Sequence, residues 1–354
     1  RCLKAMKASV TGSSAAYDWS EFQITYHVDA PLAEVFRLWA TADGMKQFWG
    51  DEVEVADERG SSRPDSDEYR NGDSIRIGFP THTSTELEIL NIEHNHFLLF
   101  SFGTDYGWVR VTLADAGGRT RIELTQFGLP LEGAAPWHIH ANARGWWIAN
   151  LLNIQSVLVH GYDLRVRQPG YEGGLATLFD RGPESAANLH DWSSFDVFLY
   201  IDAPVDRVME FWRTTAGLQS FFIADISVGS TEDNPAGETR IKSGDQYTWR
   251  WIHGHGLSGE FLQTGKSSVS FTFGGDYRVT VDATGAGDGS LLHLNQRGMT
   301  DSESERVSGS LNCRSCWIYF LVNLKSVLEA GNDLRDHNPG TADSVSVGYN
   351  LATH

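Results

Sequence analysis

Residues 147–165 read Trp-Ile-Ala-Asn-Leu-Leu-Asn-Ile-Gln-Ser-Val-Leu-Val-His-Gly-Tyr-Asp-Leu-Arg, and residues 317–335 read Trp-Ile-Tyr-Phe-Leu-Val-Asn-Leu-Lys-Ser-Val-Leu-Glu-Ala-Gly-Asn-Asp-Leu-Arg. At a constant offset of 170 the two share Trp, Leu, Asn, Ser-Val-Leu, Gly and Asp-Leu-Arg, so the chain is an internal duplication. Trp147, Leu151, Ile154 and Leu158 fall at i, i+4, i+7 and i+11, as do Trp317, Leu321, Leu324 and Leu328. That spacing predicts one amphipathic helix closing each half. Gly161 and Gly331 stand where such a helix needs a left-handed residue to stop. In the first half the helix is expected to run for about 25 residues, or ~36 Å.

The rest of each half repeats in order. Phe22–Val28 and Phe195–Ile201 alternate as strands, and Asp-Ala-Pro follows each, at 29–31 and 202–204. Val35, Leu38 and Trp39 then mark a helix, as do Val208, Phe211 and Trp212, with a second short helix at Met45–Trp49 and at Leu218–Phe222. Turn-rich stretches lead to strands expected near 74–79, 84–92, 96–103, 106–114 and 119–127, and near 246–252, 256–263, 267–274, 276–283 and 290–297. Short connections imply antiparallel pairing. The expected division is an arm at 1–17, a first domain at 18–166, a linker at 167–190, a second domain at 191–336 and a tail at 337–354. A chain of 354 residues fits two such cores.

A formal net charge of −18 opposes nucleic-acid and anionic-membrane partners, which need concentrated Lys and Arg. Three cysteines make no disulfide framework, and neither a long apolar span nor a signal peptide stands out, so a reducing, cytoplasmic setting is the expectation. Cys313-Arg-Ser-Cys316 has the form of a redox pair, but Cys316 aligns with Trp146, and a packing role is the preferred reading. His138-Ile-His140 and His253-Gly-His255 suggest metal ligation without a third ligand nearby, so no metal is expected. No phosphate loop or dinucleotide fingerprint suggests a cofactor.

Strand, two helices, a run of antiparallel strands and a long helix is an order that resembles the helix-grip fold of the START-like (SRPBCC) superfamily. More narrowly, each half resembles the activator of Hsp90 ATPase homologue family: Asp-Ala-Pro before the first helix, the Thr…Gly-[Met/Leu]…Phe-[Trp/Phe] second helix, and a closing Trp…Leu…Leu-Lys…Leu-Glu…Gly. The second half carries the last pattern in full, from Trp317 through Lys325 and Glu329 to Gly331, whereas the first has Gln155 and Val159 for the Lys and Glu. The resemblance implies an α+β fold, two tandem domains, each a curved antiparallel sheet wrapped round its last helix with a cavity between them.

That cavity is the expected site. Aromatics such as Trp108 and Trp249 read first as core and second as ligand contacts. Polar residues within strands are better leads, because a buried polar group must find a partner. They are Glu86, Glu88, Tyr106, Arg110, Glu123 and Gln126 in the first half, and Arg250, His253, Tyr277, Arg278, His293 and Gln296 in the second. Gln126 and Gln296 read as equivalent, as do Tyr106 and Tyr277, and for both pairs a shared structural hydrogen bond is the preferred reading over a shared ligand. Asn150, Asn153 and Asn323, with Phe320, lie on the helix face next to the Trp seam and are expected in the pocket wall. The leading expectation is a non-catalytic binding or carrier protein for a small hydrophobic or aromatic molecule. A cofactor-independent cyclase or aromatase, using Tyr106, Arg110 and Glu123 or Tyr277, Arg278 and His293, is the alternative. A chaperone-associated interaction module is the third.

Overall fold

A computed structural model describes residues 17–80, 83–103, 106–131, 136–168, 170, 192–229 and 239–338. The first domain runs β1 (Glu21–Val28), α1 (Leu32–Ala40), α2 (Ala42–Phe48), β2 (Glu52–Ala56), β3 (Ser74–Gly78), β4 (Ser84–Glu93), β5 (Phe97–Ser101), β6 (Trp108–Asp115), β7 (Thr120–Phe127) and α3 (Pro136–Gln155). The last helix continues through a wider π-type turn, Ser156–His160, to Gly161 in the left-handed region at φ 66°. The second domain repeats the order: β8 (Ser194–Ile201), α4 (Val205–Arg213), α5 (Thr215–Phe221), β9 (Asp225–Val228), β10 (Gln246–Arg250), β11 (Gly256–Thr264), β12 (Ser268–Phe273), β13 (Tyr277–Ala286), β14 (Gly289–Arg297), the single turn α6 (Glu303–Glu305) and α7 (Cys313–Ala330). A π-type stretch, Arg306–Asn312, joins α6 to α7.

Each domain is one seven-stranded antiparallel sheet, ordered β1-β7-β6-β5-β4-β3-β2 and β8-β14-β13-β12-β11-β10-β9. The architecture is α+β, a sheet gripping its closing helix, twice. The ten strands expected after the short helices form with ends shifted by a few residues. The edge strands β2 and β9 were not expected. Val53 and Val55 do alternate with glutamates, but five and four residues beside acidic loops give a weak pattern. The expected arm, apart from Tyr17, and most of the expected linker lie outside the described residues.

Pairing fixes which side chains face the helix. On β6 and β7, Val109, Val111, Leu113, Ile122 and Leu124 are buried while their neighbours point outward, as a period of two demands. The turn before the first helix is held from the sheet: Thr120 Oγ1 donates to Ala30 O at 2.8 Å, and Ser290 Oγ to Ala203 O at 2.6 Å. The short second helices are capped alike, by Thr41 accepting from Gly44 N and Thr214 accepting from Gly217 N.

Candidate functional site

Rings pack against one another between the sheet and the closing helix. In the first domain Trp49 is 1% exposed and lies 5.2 Å from Trp147, 5.5 Å from Trp146, 6.0 Å from Phe100 and 6.0 Å from Phe102. Trp39 closes the cluster 5.8 Å from Trp147. In the second domain Phe222 lies 5.1 Å from Trp317, 5.2 Å from Trp249 and 4.9 Å from Phe320, and Trp249 stacks on Tyr247 at 3.9 Å.

Polar side chains among these rings fall into two groups. The first is satisfied in the same way in both domains. Trp147 Nε1 donates to Gln126 Oε1 at 2.7 Å, and Trp317 Nε1 to Gln296 Oε1 at 2.7 Å. Asn153 donates to Phe48 O and Asp163 Oδ1, both at 3.1 Å, and accepts from Leu164 N at 2.8 Å. Asn323 repeats this with Phe221 O, Asp333 and Leu334 N at 2.9, 2.9 and 2.7 Å. Arg165 and Arg335 clasp Asp163 and Asp333 through Nε and reach Lys46 O and Gln219 O. Burial opposes ionisation of these two aspartates, yet the arginine hydrogen bonds hold both below the ordinary carboxylate range. The duplicated Asn and Asp-Leu-Arg are therefore the pins that fix the closing helix to the second short helix.

The second group has no acceptor. The indole N–H groups of Trp39 and Trp49, and of Trp212 and Trp249, are buried and make no hydrogen bond. Each ring lies edge-on to a neighbour: Trp39 to Phe48 at 5.0 Å, Trp49 to Trp147, Trp212 to Phe221 at 5.1 Å and Trp249 to Phe222. A ring face is a weak acceptor. Four donors in an apolar wall are free to bind a better one.

Of the residues singled out from the sequence, Gln126, Asn150, Asn153, Trp249, Tyr277, Gln296 and Asn323 are buried. Asn150 donates back to Trp146 O at 2.8 Å within its own helix. Glu86, Trp108, Arg110, Glu123, Arg278 and His293 have the opposite strand parity and lie on the outer face, so they do not share a wall with the first set. Glu123 pairs there with Arg121 at 2.5 Å; His293 stacks on Phe198 at 4.4 Å and bonds Asp196 at 2.6 Å. Glu86 lines a groove of 1110 Å³ with Glu54, Arg76, Glu88 and Tyr106. His253 is exposed in the turn after β10, and Tyr106 is exposed before β6.

Tyr106 and Tyr277 are not equivalent. Phe273 pairs with Tyr277, and the residue bonded to Phe102 in the same place is Gly107. Tyr277 Oη donates to Glu305 at 2.5 Å, and burial followed by that carboxylate raises its pKa strongly. His138 and His140 lie two apart on α3, hence on different helix faces rather than one. His140 is fully buried between Tyr17 Oη and Trp19 O, each at 3.0 Å. Among the described residues no group of three His, Cys, Asp or Glu could hold a metal. Burial pushes the Cys313 thiol up to about 12, the reverse of what an attacking thiolate requires. Buried Arg144 and Arg314, at equivalent places one turn before the two Trp seams, escaped sequence reasoning, although their recurrence at the offset of 170 was visible.

The profile of the family described as Activator of Hsp90 ATPase homolog 1-like protein matches residues 29–155. Residues 29–155 therefore resemble that family, and the second domain repeats the same helix-grip order of elements. Among solved structures, the tandem chain is similar to protein SSP2350 of Staphylococcus saprophyticus, 18% identical, covering 40% of this chain and 94% of that one with a TM-score of 0.33. It is similar to DynU16 of the dynemicin biosynthetic locus, 14% identical, covering 88% and 98% with a TM-score of 0.32. It is similar also to CalU16 of Micromonospora echinospora, 16% identical, covering 40% and 76% with a TM-score of 0.30. No curated protein matches the chain. Among the described residues no helix is long and apolar enough to cross a membrane.

Proposed function

We propose that this tandem helix-grip protein is a non-catalytic binding or carrier protein for small aromatic molecules, held between sheet and closing helix. The observation that carries the reading is the aromatic lining in which the indole N–H groups of Trp39, Trp49, Trp212 and Trp249 lack acceptors. Rings favour a flat apolar partner through stacking, and an unmet buried donor favours one that brings a carbonyl or hydroxyl oxygen. The preferred ligand is thus an oxygen-bearing aromatic rather than a plain hydrocarbon chain.

Binding is favoured over catalysis because the polar groups available for acid–base work do not converge. Arg110 and Glu123, and Arg278 and His293, point away from the ring-lined side on which Gln126 and Gln296 lie. The two buried glutamines are already bonded to Trp147 and Trp317. Heat-stability shifts with hydroxylated and quinonoid aromatics, fatty acids and sterols test the reading. The aromatics are expected to raise the melting temperature in a concentration-dependent way, stabilising the fold by about 2.7 kcal/mol at a hundred times the dissociation constant. A flat response across the panel would overturn it.

A further inference from the structure

One end of the first domain carries rings continuously from solvent to the interior. Tyr106 is 46% exposed and lies edge-on to half-buried Phe102 at 5.8 Å. Phe102 in turn lies 6.0 Å from half-buried Trp146 and 6.0 Å from fully buried Trp49, nearly parallel to the latter. Beside this ladder Trp108, 44% exposed, stacks on Phe127 at 5.8 Å, and Leu131 is 56% exposed.

The fold does not require most of these rings, because of the exposed and half-buried ones the second domain keeps only the counterpart of Phe102. Arg278 faces Arg297 in the register where Trp108 faces Phe127. At the offset of 170, Tyr106, Leu131 and Trp146 become Asp276, Asp301 and Cys316. Phe273, the counterpart of Phe102, is kept but is only 6% exposed. The position between differs most. Gly107 has a φ of 69°, and a Cβ on it would lie 2.1 Å from Phe127 O, so no side chain can stand there. Its counterpart Tyr277 is an ordinary strand residue whose hydroxyl bonds Glu305 at the start of the closing helical segment. Gly309 lies against that hydroxyl with backbone alone.

We propose that a flat aromatic molecule passes into the first domain by stacking over Tyr106, Phe102 and Trp146, and that the second domain is bolted at the same end by Tyr277 and Glu305. This rests on the binding reading and adds where the ligand enters, and in which copy. Stacking against successive rings suits a planar partner and gives an aliphatic chain little.

The test is titration of the full chain with 1-hydroxypyrene, a neutral fluorescent ring system that carries a hydroxyl oxygen, with sites counted by equilibrium dialysis. One site per chain is expected. Tyr106→Asp, which takes the residue of the second domain, and the double variant Tyr106→Asp/Trp146→Ser, which removes both rings, are expected to weaken binding and slow association at least tenfold for the double. Tyr277→Phe is expected to raise the count to two. Melting curves establish that each variant folds, and Tyr106→Asp alters only an exposed side chain. One site untouched by the ladder variants overturns the entrance while leaving the binding reading intact. Two equal sites in the unaltered chain, or one site in Tyr277→Phe, overturn the bolt. No binding at all overturns both readings together.

Discussion

His140 is a histidine whose charge the fold forbids. Nδ1 meets a carbonyl, Trp19 O, and must carry the proton; Nε2 then accepts from Tyr17 Oη. Burial first, and Arg144 second, push its pKa down to about 3. Between the unfolded value near 6.5 and about 3 the unfolded chain therefore binds the extra proton. The contribution is whole above about pH 6.5 and is lost on acidification, by about 1.4 kcal/mol per pH unit. Urea midpoints from pH 7 to 4 are expected to fall more steeply in the native sequence than in His140→Gln, and parallel slopes would refute the assignment. The buried glutamines make a second prediction at this scale. Gln126→Met strands the Trp147 indole N–H and is expected to cost about 1–3 kcal/mol in chemical denaturation, and Trp147→Phe is expected to cost less in that background than in the native sequence, where it also orphans Gln126. Gln126 and Gln296 were legible as a recurring pair, but their partners were not, because a hydrogen bond 21 residues long is set by how the helix lies on the sheet.

At the scale of elements, the closing helix shows one task done by two chemistries. In the second domain Lys325 and Glu329 are paired at 2.5 Å, 2% and 4% exposed, and Glu329 accepts from Asp202 N. In the first, Gln155 alone accepts from Asp29 N at 2.9 Å and donates to Asp29 Oδ2, and Val159 needs no partner. Glu329→Val is thus expected to cost about 3–5 kcal/mol by leaving a buried ammonium without its carboxylate. Adding Lys325→Gln should restore most of that loss, because it rebuilds the first domain's arrangement. A double variant as unstable as the single one would sink this account. Helices and inner strands were readable because each has eight or more residues of one period, or a flanking Gly or Pro. Candidate site residues on the strands were read less well. Polar residues were gathered without regard to parity, and Arg110 and Glu123 differ from Gln126 by the face on which they stand.

Across the whole molecule the copies share a frame and exchange bulk within it. Trp49 and Ile77 of the first domain correspond to Phe222 and Trp249 of the second, so the indole has moved from the end of the short helix to the facing strand. The ring supplied by the closing helix shifts with it, from Trp146, one residue before the Trp147 seam, to Phe320, three residues after Trp317. Sequence comparison of the halves displays these exchanges only once the register is known, because the offset changes from 173 to 170 along the chain. If they are compensations, the sites must be energetically coupled. Trp49→Phe alone is expected to cost about 2–3 kcal/mol through the void it leaves, and Ile77→Trp alone about 1–3 kcal/mol through overpacking against Gly50. Together they reproduce a pairing the fold already holds at 5.2 Å between Phe222 and Trp249, and should be more stable than the sum by at least about 1 kcal/mol. Urea unfolding of the four proteins measures that coupling directly, and simple additivity would mean that the two linings diverged independently rather than by exchanging one ring for another.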